Sequence, residues 1–380
     1  MRILHIITSI DKGGAENHLF DLCRMQKKNK NKIHVIYFKG NSYWKKNLNA
    51  IGVPVSFYNI KGFFSFFFIV LNFFKIYNSL NKFKPDIIHC HLSLSEIYGL
   101  IIKLIFKKKY KVIISKHLDS LILEGSYGQK SSIKGVFLEK IIFKYIDYVI
   151  CISNHVRKYF YTNLKFKKKS VSTIYYGVKY GKLLYKNKIK KKYNFRKDTN
   201  YICSVARHIK QKNIYFLLDA FKDILKKYQN KKKFKLILVC IGPETTNLKK
   251  YALDRNIYDK IVWINFSDNV REIMSLSNLF CLTSDYEGLG LVLLEAMSVR
   301  TPVVATNSSA IPEVIENGKT GILFKKNDKQ SFIQSLEKIL FNKDLKKKLT
   351  NNAIHQLNKK FCINKMYKRT NYVYQKTLKQ

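Results

Sequence analysis

The sequence predicts an α/β protein of two domains, each a parallel sheet wound with helices on both faces. Short runs rich in Ile, Val, Phe and Tyr alternate with amphipathic segments along nearly the whole chain, the order that βαβ units require. The alternation lapses once, over residues 179–199, which are rich in Lys and Asn, and then restarts. A length of 380 residues is also too great for one compact core.

In the first half, strands are expected at 2–7, 32–38, 54–58, 86–91, 111–115, 147–152 and 171–174, with helices between them, for example over 16–28 and 133–145. In the second half they are expected at 201–206, 235–241, 260–264, 279–283, 302–305 and 321–324. The last stretch, 344–380, reads as two helices without a further strand. The resulting division is 1–178 for the first domain, 179–199 for a linker, 200–355 for the second domain, and 356–380 for a helix returning to the first. Two doubly wound domains hold their ligand in the cleft at the carboxyl ends of their strands.

Bulk composition narrows the class. The formal net charge of +46 invites an anionic partner, nucleic acid or membrane. Yet only nine of the 71 basic residues are Arg, and Lys, Asn, Ile, Tyr and Phe abound, the skew that AT-rich codons produce. A specific nucleic-acid partner is therefore not expected, whereas an anionic membrane surface is. Seven cysteines without a CxxC pair, mostly in apolar runs, argue for a reducing compartment and against disulfides. The opening MRILHIITSI reads as a strand and not a leader, since no small-residue cleavage site follows. The most apolar stretch, 63–74, is too short for the ~20 residues of a membrane span. The expected location is cytoplasmic, or peripheral on the inner face of the cytoplasmic membrane.

The sharpest local pattern runs from Asp285 to Met297, DYEGLGLVLLEAM. A strand ends near Thr283, glycines allow a tight turn, and an apolar helix begins near Leu289 or Gly290. Free amides at such a helix start hold anions, and glycines let a diphosphate approach. Glu287 lies just before the helix, and Glu295 about a turn and a half inside it, where a carboxylate can accept hydrogen bonds from a ribose diol. Both could equally be ordinary helix-start acids, and the strand–turn–helix setting favours the functional reading. A second cluster, Arg207 to Asn213, follows the first strand of the second half. Arg207 and Lys212 would reach the same crevice, where a diphosphate needs cations. His208, in the same run, reads as structural.

Taken together, Arg207 and Lys212, the Glu287–Glu295 pair, Gly13-Gly14-Ala15-Glu16, and Gly318-Lys319-Thr320-Gly321 resemble the glycosyltransferases of family four, over essentially the whole chain and in the family's order. The resemblance implies a GT-B architecture, two Rossmann-like domains facing across a cleft with C-terminal helices returning to the first. It implies that Arg207 and Lys212 bind the donor diphosphate, Glu287 the transferred sugar and Glu295 the ribose, with the amides of Gly288, Leu289, Gly290 and Leu291 cradling phosphate or sugar. Gly13 and Gly14 would cover the donor sugar and phosphate, and His117 would stand beside the donor sugar at a strand end. His91 is expected on the cleft floor and His89 inside the sheet; no third ligand is expected to join them in a metal site. The sequence departs from the family at Tyr175-Tyr176-Gly177-Val178, where Asn-Gly is common, and at Ile241-Gly242-Pro243-Glu244, where Gly-x-Gly is common.

The activity so implied is retaining transfer of a hexose-type sugar from a nucleotide-diphosphate sugar, such as a UDP-sugar, to a hydroxyl of a glycan or lipid-linked acceptor. Cell-surface polysaccharide or lipopolysaccharide assembly is the expected setting, with no metal or other cofactor. An aromatic-rich segment at 61–68 and a basic run at 107–111 suit an anionic bilayer, or a buried crossover. Two competing classes remain: a non-hydrolysing sugar-nucleotide epimerase, which shares the fold class, and a noncatalytic basic module, which leaves the glycine turn and its charged neighbours unexplained.

Overall fold

The structure is a computed structural model that describes residues 1–59, 66–106, 109–118, 133–162, 170–178, 183–229 and 231–380, without the side chains of 66–71 and 133–136. The chain divides into two compact units, Met1–Gly177 with Ile363–Gln380, and Val178–Cys362.

The first unit alternates strand and helix from its start: β1 (Arg2–Ser9), α1 (Gly14–Lys28), β2 (Lys32–Lys39), α2 (Lys45–Ala50), β3 (Val55–Phe57) and α3 (Phe66–Phe83). It continues with β4 (Ile87–His91), α4 (Ser93–Phe106), β5 (Lys111–Lys116), α5 (Ile133–Tyr145), β6 (Tyr148–Cys151), α6 (Asn154–Thr162) and β7 (Val171–Thr173). The strands pair in parallel in the order β3-β2-β1-β4-β5-β6-β7. Because both sheet faces are covered, β1, β4 and β5 read as nearly unbroken buried runs and not as alternating ones.

The second unit opens with α7 (Lys186–Lys192), β8 (Thr199–Val205), α8 (Ile214–Tyr228), β9 (Lys233–Val239), α9 (Thr245–Asp254) and β10 (Ile261–Ile264). It goes on through α10 (Val270–Leu276), β11 (Leu279–Leu282), α11 (Leu291–Ser298), β12 (Val303–Thr306), α12 (Ile311–Val314) and β13 (Ile322–Phe324). Its sheet order is β10-β9-β8-β11-β12-β13, all parallel. Two helices, α13 (Lys329–Leu340) and α14 (Lys343–Lys360), close it, each capped by a side chain at its start, Asp328 and Asn342 respectively. The last helix, α15 (Ile363–Leu378), belongs to the first unit, where Ile363, Met366, Val373 and Tyr374 join a core with Ile3, Leu22 and Ile87.

Each of the thirteen expected strands has its counterpart. The boundaries of the units differ from the expected ones. Residues 179–182 lie outside the described set, and the rest of the expected linker holds α7 and the start of β8, within the second unit. The return to the first unit starts at Ile363 and not at 356, because α14 packs on α11 and α13.

Each sheet has one switch point, β1 beside β4 and β8 beside β11, where successive connections leave in opposite directions. A crevice opens at the carboxyl ends of the strands there. Gly13 and Gly14 follow β1 and His91 ends β4; Arg207 and Lys212 follow β8, and Glu287 follows β11.

Candidate active site

In the second unit, the residues after β8 and those after β11 are tied to one another. Lys212 Nζ lies 2.7 Å from Glu287 Oε1, and the same oxygen accepts from Ser284 Oγ at 2.7 Å. The backbone frames this pair. Asp285 N donates to the Gln211 carbonyl at 2.8 Å, Gln211 Nε2 to the Tyr286 carbonyl at 2.6 Å, and Glu287 N to Ser309 Oγ at 2.8 Å. Thr283 Oγ1 donates to the carbonyls of Lys212 and Asn213 at 3.0 and 3.2 Å. The cation and the carboxylate, 75 residues apart in sequence, are thus placed by strand ends and side-chain bonds, both partly shielded.

Gly290 takes φ +87° and caps α11, which starts at Leu291, a residue or two later than the sequence suggests. A left-handed residue here costs little only for glycine. Gly288, Leu289 and Gly290 are buried in the turn, and Glu295 sits half-buried in the second turn of α11. Arg207 is exposed, just past the end of β8.

His208, expected to be structural, is buried and pairs through Nδ1 with Thr245 Oγ1 at 2.9 Å. Burial, then the nearby Lys249, lowers its pKa to about 4, so the ring is neutral. Its carbonyl accepts from Glu244 N at 3.0 Å. A Cβ on Gly242 would lie 2.4 Å from that same carbonyl oxygen, so the shortened glycine motif keeps the one glycine that close approach demands. Gly242 N in turn donates to Thr245 Oγ1 at 2.8 Å, pinning the turn after β9.

In the first unit, Gly13 caps α1, and Glu16 accepts from Ser9 Oγ at 2.9 Å. Space beside Gly14 is open to 4 Å. His117, one residue beyond β5, is buried, and its Nδ1 is hydrogen-bonded to the Tyr176 hydroxyl. Tyr176 also stacks on His18 with ring centroids 4.2 Å apart. Neither partner was singled out from sequence, although the Tyr175-Tyr176 departure marks the place. Tyr176 fills the turn with a buried ring that the commoner Asn could not supply.

A second finding corrects the sequence reading. His89 and His91 do have a third imidazole beside them: His5, the register partner of His89 on β1, with one nitrogen from each ring within 4.8 Å of the others. Lone His5 in an apolar strand gave no signal, since the contact depends on strand pairing. The three rings are bonded to neighbours. Gln26 Nε2 donates to the Tyr374 hydroxyl at 3.2 Å, leaving Gln26 Oε1 to accept from His5 Nε2 at 2.9 Å. His5 Nδ1 is then a bare acceptor for His91 Nε2–H at 3.1 Å. Tyr374, having accepted, donates to His89 Nδ1 at 2.6 Å, and His89 Nε2–H donates to Ser115 Oγ at 2.8 Å. Every member of this chain is neutral, as burial requires: burial lowers the pKa of His5 to about 4 and that of His117 to about 3, and holds His18, His89 and His91 well below the ordinary range. A metal ion would have to displace the His5–His91 bond.

The aromatic segment expected at 61–68 lies mostly outside the described residues, as do 107–108 of the basic run. Among the described residues no helix is long and apolar enough to cross a membrane. None of the seven cysteines is in a disulfide among the described residues.

The family model described as Glycosyltransferase Family 4 matches residues 12–181, and that described as Glycosyl transferases group 1 matches residues 185–356. Among curated relatives, the N-acetyl-alpha-D-glucosaminyl L-malate synthase of Bacillus anthracis is 24% identical, over 77% of this chain and 75% of that protein. The capsular polysaccharide biosynthesis glycosyltransferase CapM of Staphylococcus aureus is also 24% identical, over 79% of each. Among solved structures, HepE of Anabaena in complex with UDP and glucose superposes with a TM-score of 0.85 at 19% identity, covering 99% of this chain and 100% of that one. A glycosyltransferase from Rickettsia africae superposes with a TM-score of 0.82 at 20% identity, covering 100% and 99%. At such identities the structural likeness speaks for the fold alone.

Proposed function

Because the chain belongs to the glycosyltransferases of family four, we propose that it transfers a hexose-type sugar from a UDP-sugar, with retention, to a hydroxyl of a glycan or lipid-linked acceptor. The observation that carries this is the Lys212–Glu287 pair beside the glycine turn that caps α11. Departure of a nucleoside diphosphate leaves negative charge on phosphate, and the barrier falls most where cations already stand. Lys212, Arg207 and the amides at the start of α11 are suited to receive that charge. In the donor complex Lys212 turns from the carboxylate to the diphosphate, and Glu287, held by Ser284, is released to the hydroxyls of the sugar. Glu295 takes the ribose. Gly13, Gly14 and His117 of the first unit serve the sugar side. A neutral His117 is a hydrogen-bonding group and not a charge there.

Neither carboxylate acts as the acid and base or nucleophile that a hydrolase needs. The departing phosphate itself takes the acceptor's proton, and Arg207 and Lys212 supply the positive charge for the leaving diphosphate, so no metal is assigned a part in the reaction. UDP-glucose is the first donor to try, since HepE was solved with it, and CapM makes capsular polysaccharide assembly the first setting to test. The site of action on this reading is the cytoplasmic face of a membrane carrying the acceptor.

The test is a panel of sugar nucleotides, read by thermal stabilisation and by release of nucleoside diphosphate. Binding should raise the unfolding temperature with one or few donors. Glu287→Gln and Arg207→Ala should each lower turnover about 100- to 1,000-fold while leaving the fold intact. Full activity in either variant would refute the assignment, and isomerised donor without diphosphate release would make the protein an epimerase.

A further inference from the structure

The helices α3, α4 and α5 form one layer on the first unit's sheet. Right-handed crossovers carry β3→β4→β5→β6 in one direction and β1→β2→β3 in the other, so α1 and α2 lie on the opposite face. α4 carries large apolar side chains on its outer face as well as its inner one. Tyr98, Leu100 and Ile102 point into the core, yet the outward stripe is Leu94, Ile97 and Ile101, half-buried, followed by exposed Leu104 and Ile105. Such a helix belongs inside a core or against another apolar phase. Next to it, α3 stacks Phe73 and Tyr77 on Phe106 and exposes Phe74. α5, which packs on α4, exposes Phe137 and Tyr145.

Charge on this layer is sorted by depth. The three helices contain only two acidic residues, Glu96 and Glu139, and both are buried against Lys116 at 3.1 and 3.3 Å. Lys75, Lys82, Lys140 and Lys144 face solvent, with Lys109 just beyond α4. An apolar patch of this kind marks an interaction site. Its lysine rim chooses the partner: two copies of this face would confront cation with cation, whereas acidic headgroups would meet the lysines while the rings and aliphatic side chains sink to the acyl boundary.

We propose that the α3–α4–α5 face of the first unit docks on an anionic bilayer surface. The proposal deepens the reading of a membrane-borne acceptor and rests on that reading for its purpose. The experiment is co-sedimentation of the full chain with phosphatidylcholine vesicles, with and without phosphatidylglycerol. Binding is expected only with phosphatidylglycerol, and salt should weaken it. The double variant Leu104→Ser/Ile105→Ser should lose at least about tenfold in affinity, since two aliphatic side chains contribute more than the ~1.4 kcal/mol that tenfold represents. Lys140→Glu/Lys144→Glu should lose as much, and Tyr372→Ser, an exposed site on α15, should bind as the wild type does. Wild-type chain left in the supernatant would overturn the proposal, as would unchanged binding by the Leu104/Ile105 variant. Conversion of a dimer to a monomer by that variant would make the face a self-association surface and overturn it as well. Release of nucleoside diphosphate in solution, without vesicles, separates the two readings: a donor-active chain that ignores vesicles is a glycosyltransferase without this docking face.

Discussion

Replacing Lys116 by Met removes the one cation between two buried carboxylates and keeps nearly the same length of side chain. Lys116 and Glu96 are each 2% exposed and Glu139 is fully buried, so water cannot take over the role of the ammonium. Burial alone would pull the Lys116 pKa down. Glu96, then Glu139, outweigh it, and the ammonium is held above the usual lysine range. Burial likewise pushes Glu96 up, against the pull of Lys116. Breaking a buried pair by removing one partner costs about 3–5 kcal/mol, and Lys116→Met strands two acids at once. Glu139→Gln should cost only about 1 kcal/mol, because it leaves one ammonium facing one carboxylate and keeps an acceptor for the Tyr159 hydroxyl at 3.3 Å. The assay is calorimetry of the first unit's transition, with hydrogen exchange on β5 and α4, because a chain of two units does not unfold in one step. The pH dependence sharpens it. A carboxylate whose folded pKa lies above its unfolded value loses stability as pH rises between the two. The Lys116→Met deficit should therefore be largest near pH 8 and shrink towards about pH 5, as the stranded Glu96 takes up a proton. A deficit below about 1 kcal/mol, or one that is flat with pH, would refute the reasoning.

Other consequences follow from the same packing. Tyr374→Phe leaves His89 Nδ1 and Gln26 Nε2 without their partner, and should cost about 1–3 kcal/mol in thermal unfolding; an equal loss from Tyr372→Phe would show that the hydroxyl network is not the cause. Gly242→Ala should force the turn after β9 off the His208 carbonyl and cost about 1–3 kcal/mol, with weaker donor binding; wild-type stability would contradict the 2.4 Å approach. The buried histidines of the first unit have folded pKa values below the unfolded 6.5, to about 4 for His5 and about 3 for His117. Their stabilisation is thus complete above pH 6.5 and lost as pH falls from there towards 4, at about 1.4 kcal/mol per pH unit for each ring that stays neutral. Unfolding free energy that does not change between about pH 6.5 and 5 would overturn the network of neutral rings.

Much of the fold could be read from periodicity because parallel strands, covered on both faces, are written as short apolar runs between amphipathic helices. The placement of the expected donor-side residues was equally readable. Arg207 and Lys212 follow β8 and Glu287 follows β11, where local pattern alone puts them, and the last two meet at 2.7 Å. The first unit resisted for a physical reason. His5, His18, Tyr176 and Tyr374 meet only through strand register, a stacked ring and a helix that returns from the far end of the chain, none of which leaves a trace at sequence spacing. Gly242 looked like a weakened motif, and only the His208 carbonyl above it shows why a glycine stays.

By itself, the sequence determined which residues bear charge near glycine turns, where the strands lie, and that two sheets are built. It also determined that α3, α4 and α5 would hold two acids among many lysines. The tertiary structure decided which way each of those charges points. Glu96 and Glu139 turn inward onto Lys116, Lys103 turns onto Asp147, Lys75, Lys82, Lys140 and Lys144 turn outward, and Lys212 meets Glu287 across 75 residues of chain. Composition sets how much charge a chain carries, but desolvation decides its direction, since an acid enters a core only where a partner waits for it.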